Sequence, residues 1–280
     1  MAENNSQRRY LKMKNKKLLV LGLVPMFLLA SCDKEISQAQ AQQKAANIVA
    51  AKETTSYKTL KSTVELSTEY NGNKASFKST LSIDLDNYYV AYEATGTTVQ
   101  DSETTKKNVG TYYLVKDNAL VMARNNNGEK TYVSISTDTT SFKSTIEDAA
   151  SALYEQLGAP SIDEDAVLNK IKEGKDLSGS MSGVFSQADI NVTVGADYAI
   201  KYFSNSSSSF GVSMSVNASI ASLYTLSANS RVEWKDNLIS GVSAQVKATV
   251  GENSIGFKSA LSNKYNGKIN QVNLNDYTAE

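Results

Sequence analysis

One cysteine, Cys32, and no histidine set the chemistry open to this chain of 280 residues. Without imidazole there is no Ser-His or Cys-His relay to activate a nucleophile. The nitrogen and sulfur ligand sets that zinc and copper prefer are missing too. A Ser-x-x-Lys pair is the nucleophile and base arrangement that needs no histidine. It occurs once, at Ser31 and Lys34, on either side of the cysteine. Neither G-x-S-x-G nor G-x-x-x-x-G-K-[ST] is present. The carboxylates Asp163, Glu164 and Asp165 cluster, but in the first turn of an expected helix, where the helix dipole stabilises negative charge. Asp84 and Asp86 flank a turn in "DLDNYYV", which lacks the oxygen spacing and closing Glu of a calcium loop. The expectation is a protein without catalysis, metal or cofactor.

Cys32 itself has informative flanks. Residues 12–17 are basic, Leu18 to Leu29 are almost wholly apolar, and Leu29-Ala30-Ser31 precede the cysteine. This is the order of a secretory signal: basic, apolar, small. The apolar run is about a dozen residues, short of the roughly 20 that cross a bilayer as a helix. Leu29-Ala30-Ser31-Cys32 resembles the lipobox of bacterial lipoproteins. That resemblance implies cleavage between Ser31 and Cys32 and a diacylglyceryl group on the Cys32 sulfur. Residues 1–31 would be a signal peptide, within which Met13 already starts a complete signal and 1–12 would be a start-site extension. Two acyl chains, at about 0.8 kcal/mol per buried methylene, suffice for stable anchoring. The expected place is the extracytoplasmic side of a cell membrane, held by lipid.

Charge supports a body that avoids nucleic acid. Six of the 29 basic residues lie in the first 31 positions against one of the 29 acidic ones, so the remainder is mildly acidic. Phosphate binding needs a basic face. With one cysteine no internal disulfide can form, and packing must hold the fold. A monomer is expected.

What would position these residues is a mostly β chain. Ser37 and Gln40 have capping-box spacing, and Ala41, Ala45, Ile48 and Val49 recur at helical intervals, which predicts a helix over 37–53. Residues 32–56 thus read as an anchored segment with an amphipathic helix, and 57–280 as one β domain. From Tyr57 the period is two. Leu60, Val64 and Leu66 alternate with charged residues, Asn71-Gly72 marks a hairpin, and Phe77, Leu81, Ile83 and Leu85 continue the apolar face. About six strands are predicted over 57–136, with 96–108 read as a mobile loop. Helices follow near 141–157 and 161–173, the second opened by a Ser161/Glu164 capping box. Seven more strands are predicted near 179–187, 190–203, 209–220, 224–235, 238–250, 253–263 and 267–275. An echo between "NKASFKSTLS" and "NSIGFKSALS" reads as coincidence of common residues. Tyr88, Tyr89, Tyr92, Tyr112, Tyr113 and Tyr132 suit half-buried sheet positions or an amphipathic wall facing a ligand.

These elements make a strongly curved antiparallel sheet of about a dozen strands with helices on it, since open sheets that wide curl, close or split. Lipobox, N-terminal helix, meander, helical insert and further strands resemble the LolA/LolB-like and LppX-like bacterial lipoproteins. That resemblance implies a half-open β-barrel whose concave face binds lipids or acyl chains without chemistry. The expected lining is Leu60, Val64, Leu66, Phe77, Leu81, Ile83, Leu85 and Tyr92. The alternative is an adhesive or structural surface lipoprotein with a filled core and no small ligand.

Overall fold

The structure, a computed structural model, describes residues 33–52, 54–100, 103–160, 162–175, 196–220 and 224–280. The signal segment, Ser31, Cys32 and the predicted strand at 179–187 lie outside them.

A two-residue strand β1 (Lys34–Glu35) leads into helix α1 (Gln38–Ala51). The capping box is present. Ser37 Oγ accepts from the Gln40 amide at 3.3 Å, and Gln40 Oε1 accepts from the Ser37 amide at 2.9 Å. Six strands follow: β2 (Thr59–Tyr70), β3 (Asn73–Asp84), β4 (Tyr89–Gln100), β5 (Glu103–Lys116), β6 (Ala119–Asn126) and β7 (Glu129–Ser136). Then come helices α2 (Phe142–Gln156) and α3 (Glu164–Lys172). The second run is β8 (Ala196–Ser204), β9 (Ser209–Ile220), β10 (Tyr224–Lys235), β11 (Leu238–Val250) and β12 (Asn253–Tyr265), closed by the two-residue β13 (Thr278–Ala279).

All 13 strands form one open sheet in the order β1-β8-β9-β10-β11-β12-β2-β3-β4-β5-β6-β7-β13. Every pairing is antiparallel except β13 on β7, which is parallel. Tight turns set the register. Asn71-Gly72, Asp117-Asn118, Asn127-Gly128 and Asp236-Asn237 each place two successive residues at positive φ. This is the turn whose twist matches that of the flanking strands.

Three local expectations are corrected. Residues 96–100 and 103–108 are not a loop: β4 and β5 continue as a ladder from Thr95 and Asn108 to Gln100 and Glu103. Backbone pairing holds this hairpin, and its largely exposed Thr-rich strands have no core to imprint an apolar period. Residues 267–275 are not a strand. β12 is already paired on both sides, with β11 and β2, so the chain has no edge to join and must leave the sheet. It crosses one face, forms a short 3-10 helix at Leu274–Asp276, and reaches the far edge as β13. Finally, α3 is capped by Asp163, whose Oδ1 accepts from the Ala166 amide at 2.9 Å. Ser161 lies outside the described residues.

The helices define an inner face of the sheet. Ala41, Ala45 and Ile48 of α1, Phe142, Ile146 and Leu153 of α2, and Val167, Leu168 and Ile171 of α3 pack with inner residues of β2–β4, β6 and β9–β12 in one core. A second cluster lies on the outer face, where Leu274 and Tyr277 of the C-terminal strap cover Tyr89, Ala91, Tyr112, Leu114, Val121 and Ala123.

Candidate functional site: an uncovered apolar sheet face

Cross-strand partners point to the same side of a sheet, so the register sorts the inner face into rows. One row runs Ser79–Val64–Leu261–Val242–Val232–Val212. None of these residues is more than 9% exposed. Helix ends seal this part of the face with polar contacts. Ser79 Oγ donates to the Leu157 carbonyl at 2.8 Å, Tyr92 OH to the Gln156 carbonyl at 3.3 Å, and Trp234 Nε1 to Glu164 Oε1 at 2.8 Å.

Toward the end of the sheet that carries the turns at 71–72, 127–128 and 251–252, the cover stops. Two rows on from Val64 come Thr68, Phe257 and Val246, with Phe257 and Val246 half-buried. The next row is Tyr70–Ile255–Ala248–Leu226, with Tyr70 56%, Ile255 38% and Leu226 37% exposed, and Val250 beyond it at 47%. Val109, on the inner side of β5, is also exposed. Three strand spacings make this face about 14 Å wide.

Charge is segregated with it. Among the described residues, no inner-facing side chain of β2, β3 or β9–β12 is charged. The outer side of the same strands carries ion pairs, Lys78 with Glu65 at 2.5 Å and Lys74 with Glu69 at 3.4 Å. Among the described strands, inner-side charges are Lys34 on the edge strand β1 and Glu103, Lys107, Arg124 and Glu129 on β5–β7.

The expected lining residues are divided by this arrangement. Leu60, Val64, Leu81 and Tyr92 are buried, and Val64, Leu81 and Tyr92 join the helix-covered core. Ile83 and Leu85 pack against that core from the opposite end of the strands. Leu66 and Phe77 pair with each other at its margin, next to the open rows. Sequence reasoning missed Tyr70, Leu226, Val250, Ile255 and Phe257. Their alternation with polar residues is readable, but which rows the helices leave bare depends on helix placement.

The tyrosines do not form one wall. Tyr92 and Tyr113 pack on the inner core, while Tyr89, Tyr112 and Tyr132 lie on the outer side with the strap. Burial pushes the Tyr89 hydroxyl up to about 12. Burial also raises Tyr112, helped by the Glu93 carboxylate that accepts its hydrogen bond at 3.0 Å. A small cleft of about 200 Å³ sits there, between Lys61, Glu93, Tyr112 and strap residues 268–272. A wider one of about 460 Å³ opens at the sheet end near Lys58, Asp84, Asn87 and Lys268.

The acidic cluster is structural in geometry. Asp163 caps α3, Glu164 holds the Trp234 indole, and Lys52 bridges Glu164 at 2.9 Å and Asp165 at 2.5 Å. Among the described residues no group of three acidic, His or Cys side chains could hold a metal, and no helix is long and apolar enough to cross a membrane.

Neither a family model nor a curated relative matches the chain. Among solved structures it is similar to a DUF1329 family protein from Desulfovibrio piger, at 9% identity and a TM-score of 0.19, covering 83% of this chain and 94% of that one. It is also similar to a tesB protein of Mycobacterium avium subs paratuberculosis, at 10% identity and a TM-score of 0.13, covering 87% and 91%. Scores that low carry no argument. What stands is a mainly β chain with one open 13-stranded sheet and an apolar face that its helices cover only in part.

Proposed function

We propose that this protein is a lipid-anchored extracytoplasmic lipoprotein that binds an acyl chain, without catalysis, on the uncovered inner face of a half-open, barrel-like sheet. The observation that carries this reading is the row Tyr70–Ile255–Ala248–Leu226. It presents large side chains to solvent on a part of the inner face whose strands carry no charge on that side, while the charged residues of the same strands lie on the opposite side. Contiguous exposed apolar surface is uncommon on soluble monomers and marks binding. An uncharged strip about 14 Å wide suits alkyl chains better than a saccharide, which needs polar partners.

The membrane part of the reading rests on Leu29-Ala30-Ser31-Cys32. Globomycin treatment or Cys32→Ser should leave the unprocessed chain, and Cys32→Ser should abolish labelling by alkyne-palmitate. Labelling that survives Cys32→Ser would refute the anchor.

Binding is tested by native mass spectrometry of residues 33–280 followed by solvent extraction. Discrete added masses that extract as lipids are expected. A clean apo mass after incubation with membrane lipids would move the assignment to a packed adhesive or scaffolding protein.

A further inference from the structure

Given that lipid-binding reading, we infer that the occupant is an anionic amphiphile, its tail over Tyr70, Ile255 and Phe257 and its head group above Gly96, met by the Lys107 ammonium.

The register makes the case. Lys107 of β5 opposes Gly96 of β4, Gly96 opposes Phe77 of β3, and Phe77 opposes Leu66 of β2. Phe77 and Leu66 are inner-face residues, so Lys107 is as well. Two strand spacings, about 10 Å, separate the Lys107 backbone from that of Phe77. Between them Gly96 has no side chain, and a Cβ built there meets nothing within 4 Å. The floor beside the apolar rows therefore has a bare patch with a flexible cation at its border.

Lys107 is exposed and, among the described residues, has no ion-pair partner. The lysines on and beside the open-row strands, Lys74, Lys78, Lys247 and Lys258, all lie on the outer side, Lys74 and Lys78 paired there with Glu69 and Glu65. The other inner-face charges of β5–β7 stand apart from Gly96. Glu103 is four residues further along β5, about 13 Å by strand rise. Arg124 opposes Thr111, the same distance in the other direction, and Glu129 opposes Asn126 on the far side of β6. A carboxylate or phosphate above Gly96 would thus meet one positive charge at hydrogen-bonding reach, while its tail crosses Phe77 onto the uncharged rows.

The test is photo-crosslinking of the full-length protein in nanodiscs with diazirine-bearing palmitic acid, its methyl ester, and the matching lysophosphatidic acid, with labelled peptides mapped by mass spectrometry. The two anions should label β2, β3 and β12 peptides more than the ester does. Lys107→Glu should cut anion labelling about tenfold, the worth of one hydrogen bond to a charged group. Gly96→Leu, which fills the head position from an open backbone site, should do the same, and thermal melts confirm that both variants fold. The relative labelling by palmitic and lysophosphatidic acid separates a carboxylate from a phosphate head. Equal labelling by acid and ester, unchanged in Lys107→Glu, would overturn the head-group assignment and leave the lipid reading standing. No labelling of inner-face peptides by any probe would overturn both.

Discussion

Asp33 and Arg231, 198 positions apart, clasp each other on the outer face of the sheet. Both guanidinium Nη atoms donate to the carboxylate, Nη2 at 3.1 Å, and Asn205 Nδ2 donates to the same group at 2.9 Å. The guanidinium also lies 3.8 Å over the Phe203 ring and donates through Nε to Glu233 at 2.6 Å. Burial alone would lower the Arg231 pKa, but the hydrogen bonds to Asp33 and Glu233 outweigh it and hold the charged form more firmly. The residue after the proposed anchor is therefore part of the folded body, and no slack chain separates the two. Arg231→Ala should cost about 1–2 kcal/mol, from a partly buried ion pair and a cation–π contact. Hydrogen exchange at residues 34–36 should accelerate at the same time. Unchanged exchange there would show that the β1–β8 pairing holds this segment without the clasp.

Trp234 is the chain's single tryptophan and 1% exposed, so its emission reports on one place. Its indole N–H is satisfied by Glu164 Oε1. Glu164→Ala leaves that donor buried and unpaired, at a cost of about 1–3 kcal/mol. Glu164→Gln keeps an acceptor and loses chiefly the half-exposed Lys52 pair, about 0.5 kcal/mol. Chemical denaturation followed by fluorescence should rank wild type, then Gln, then Ala. A Gln variant as weak as Ala would mean that charge rather than the indole hydrogen bond stabilises this contact.

Folding and binding should separate along a single strand. Leu261, at 7% exposure, lies in the sealed row of β12, and Ile255 in the open row six residues earlier. Leu261→Ala should destabilise by about 2–5 kcal/mol. Ile255→Ser should change stability by no more than about 0.5 kcal/mol, as for surface sites, while lowering lipid recovery in the extraction assay. Equal lipid recovery in wild type and Ile255→Ser would count against the open face as the binding surface.

Stability should be lost at alkaline pH. Tyr89 titrates at about 12 in the folded state, and burial also raises Tyr57, Tyr112 and Tyr265 above their ordinary value. The unfolded chain releases these protons from about pH 10. Above that it binds fewer protons than the folded state, so unfolding free energy falls as pH rises. Stabilisation from Tyr89 is complete below about pH 10 and is lost through pH 12. With no histidine, melting temperature should be nearly flat between about pH 6 and 9. A steep change inside that window would show that some other group controls stability.

Local signals in the chain account for much of this fold. Asn71-Gly72 and Asp236-Asn237 are turn signals, and they set the register of β2–β3 and β10–β11 as expected. Helical spacing puts Phe142, Ile146, Leu153 and Leu157 on one side of the α2 segment, and all four are buried. The failures are non-local. Nothing in "GTTVQDSETTKKN" reveals an extended pair, because its strands are stabilised by each other and not by a core. Residues 267–275 look strand-like alone, and only the full occupancy of both β12 edges turns them into a strap. The candidate site lies in the same category. Val64 and Tyr70 belong to one alternating face of β2, and their opposite fates, sealed and exposed, depend on how far α2 reaches along it.

The two shortest strands govern how many copies of this chain can share one sheet. β1 lies along β8 and β13 along β7, so the first and last described strands blunt the two edges of the described sheet. An uncapped edge is a template for the next chain, and a sheet with two of them can grow in both directions. Each terminator is only two residues long, and each lies at one end of the described chain. A chain ending at Tyr277 would unblock β7 and keep Leu274 and Tyr277 in the outer cluster. The result to expect is a protein that still folds but lengthens into fibrils.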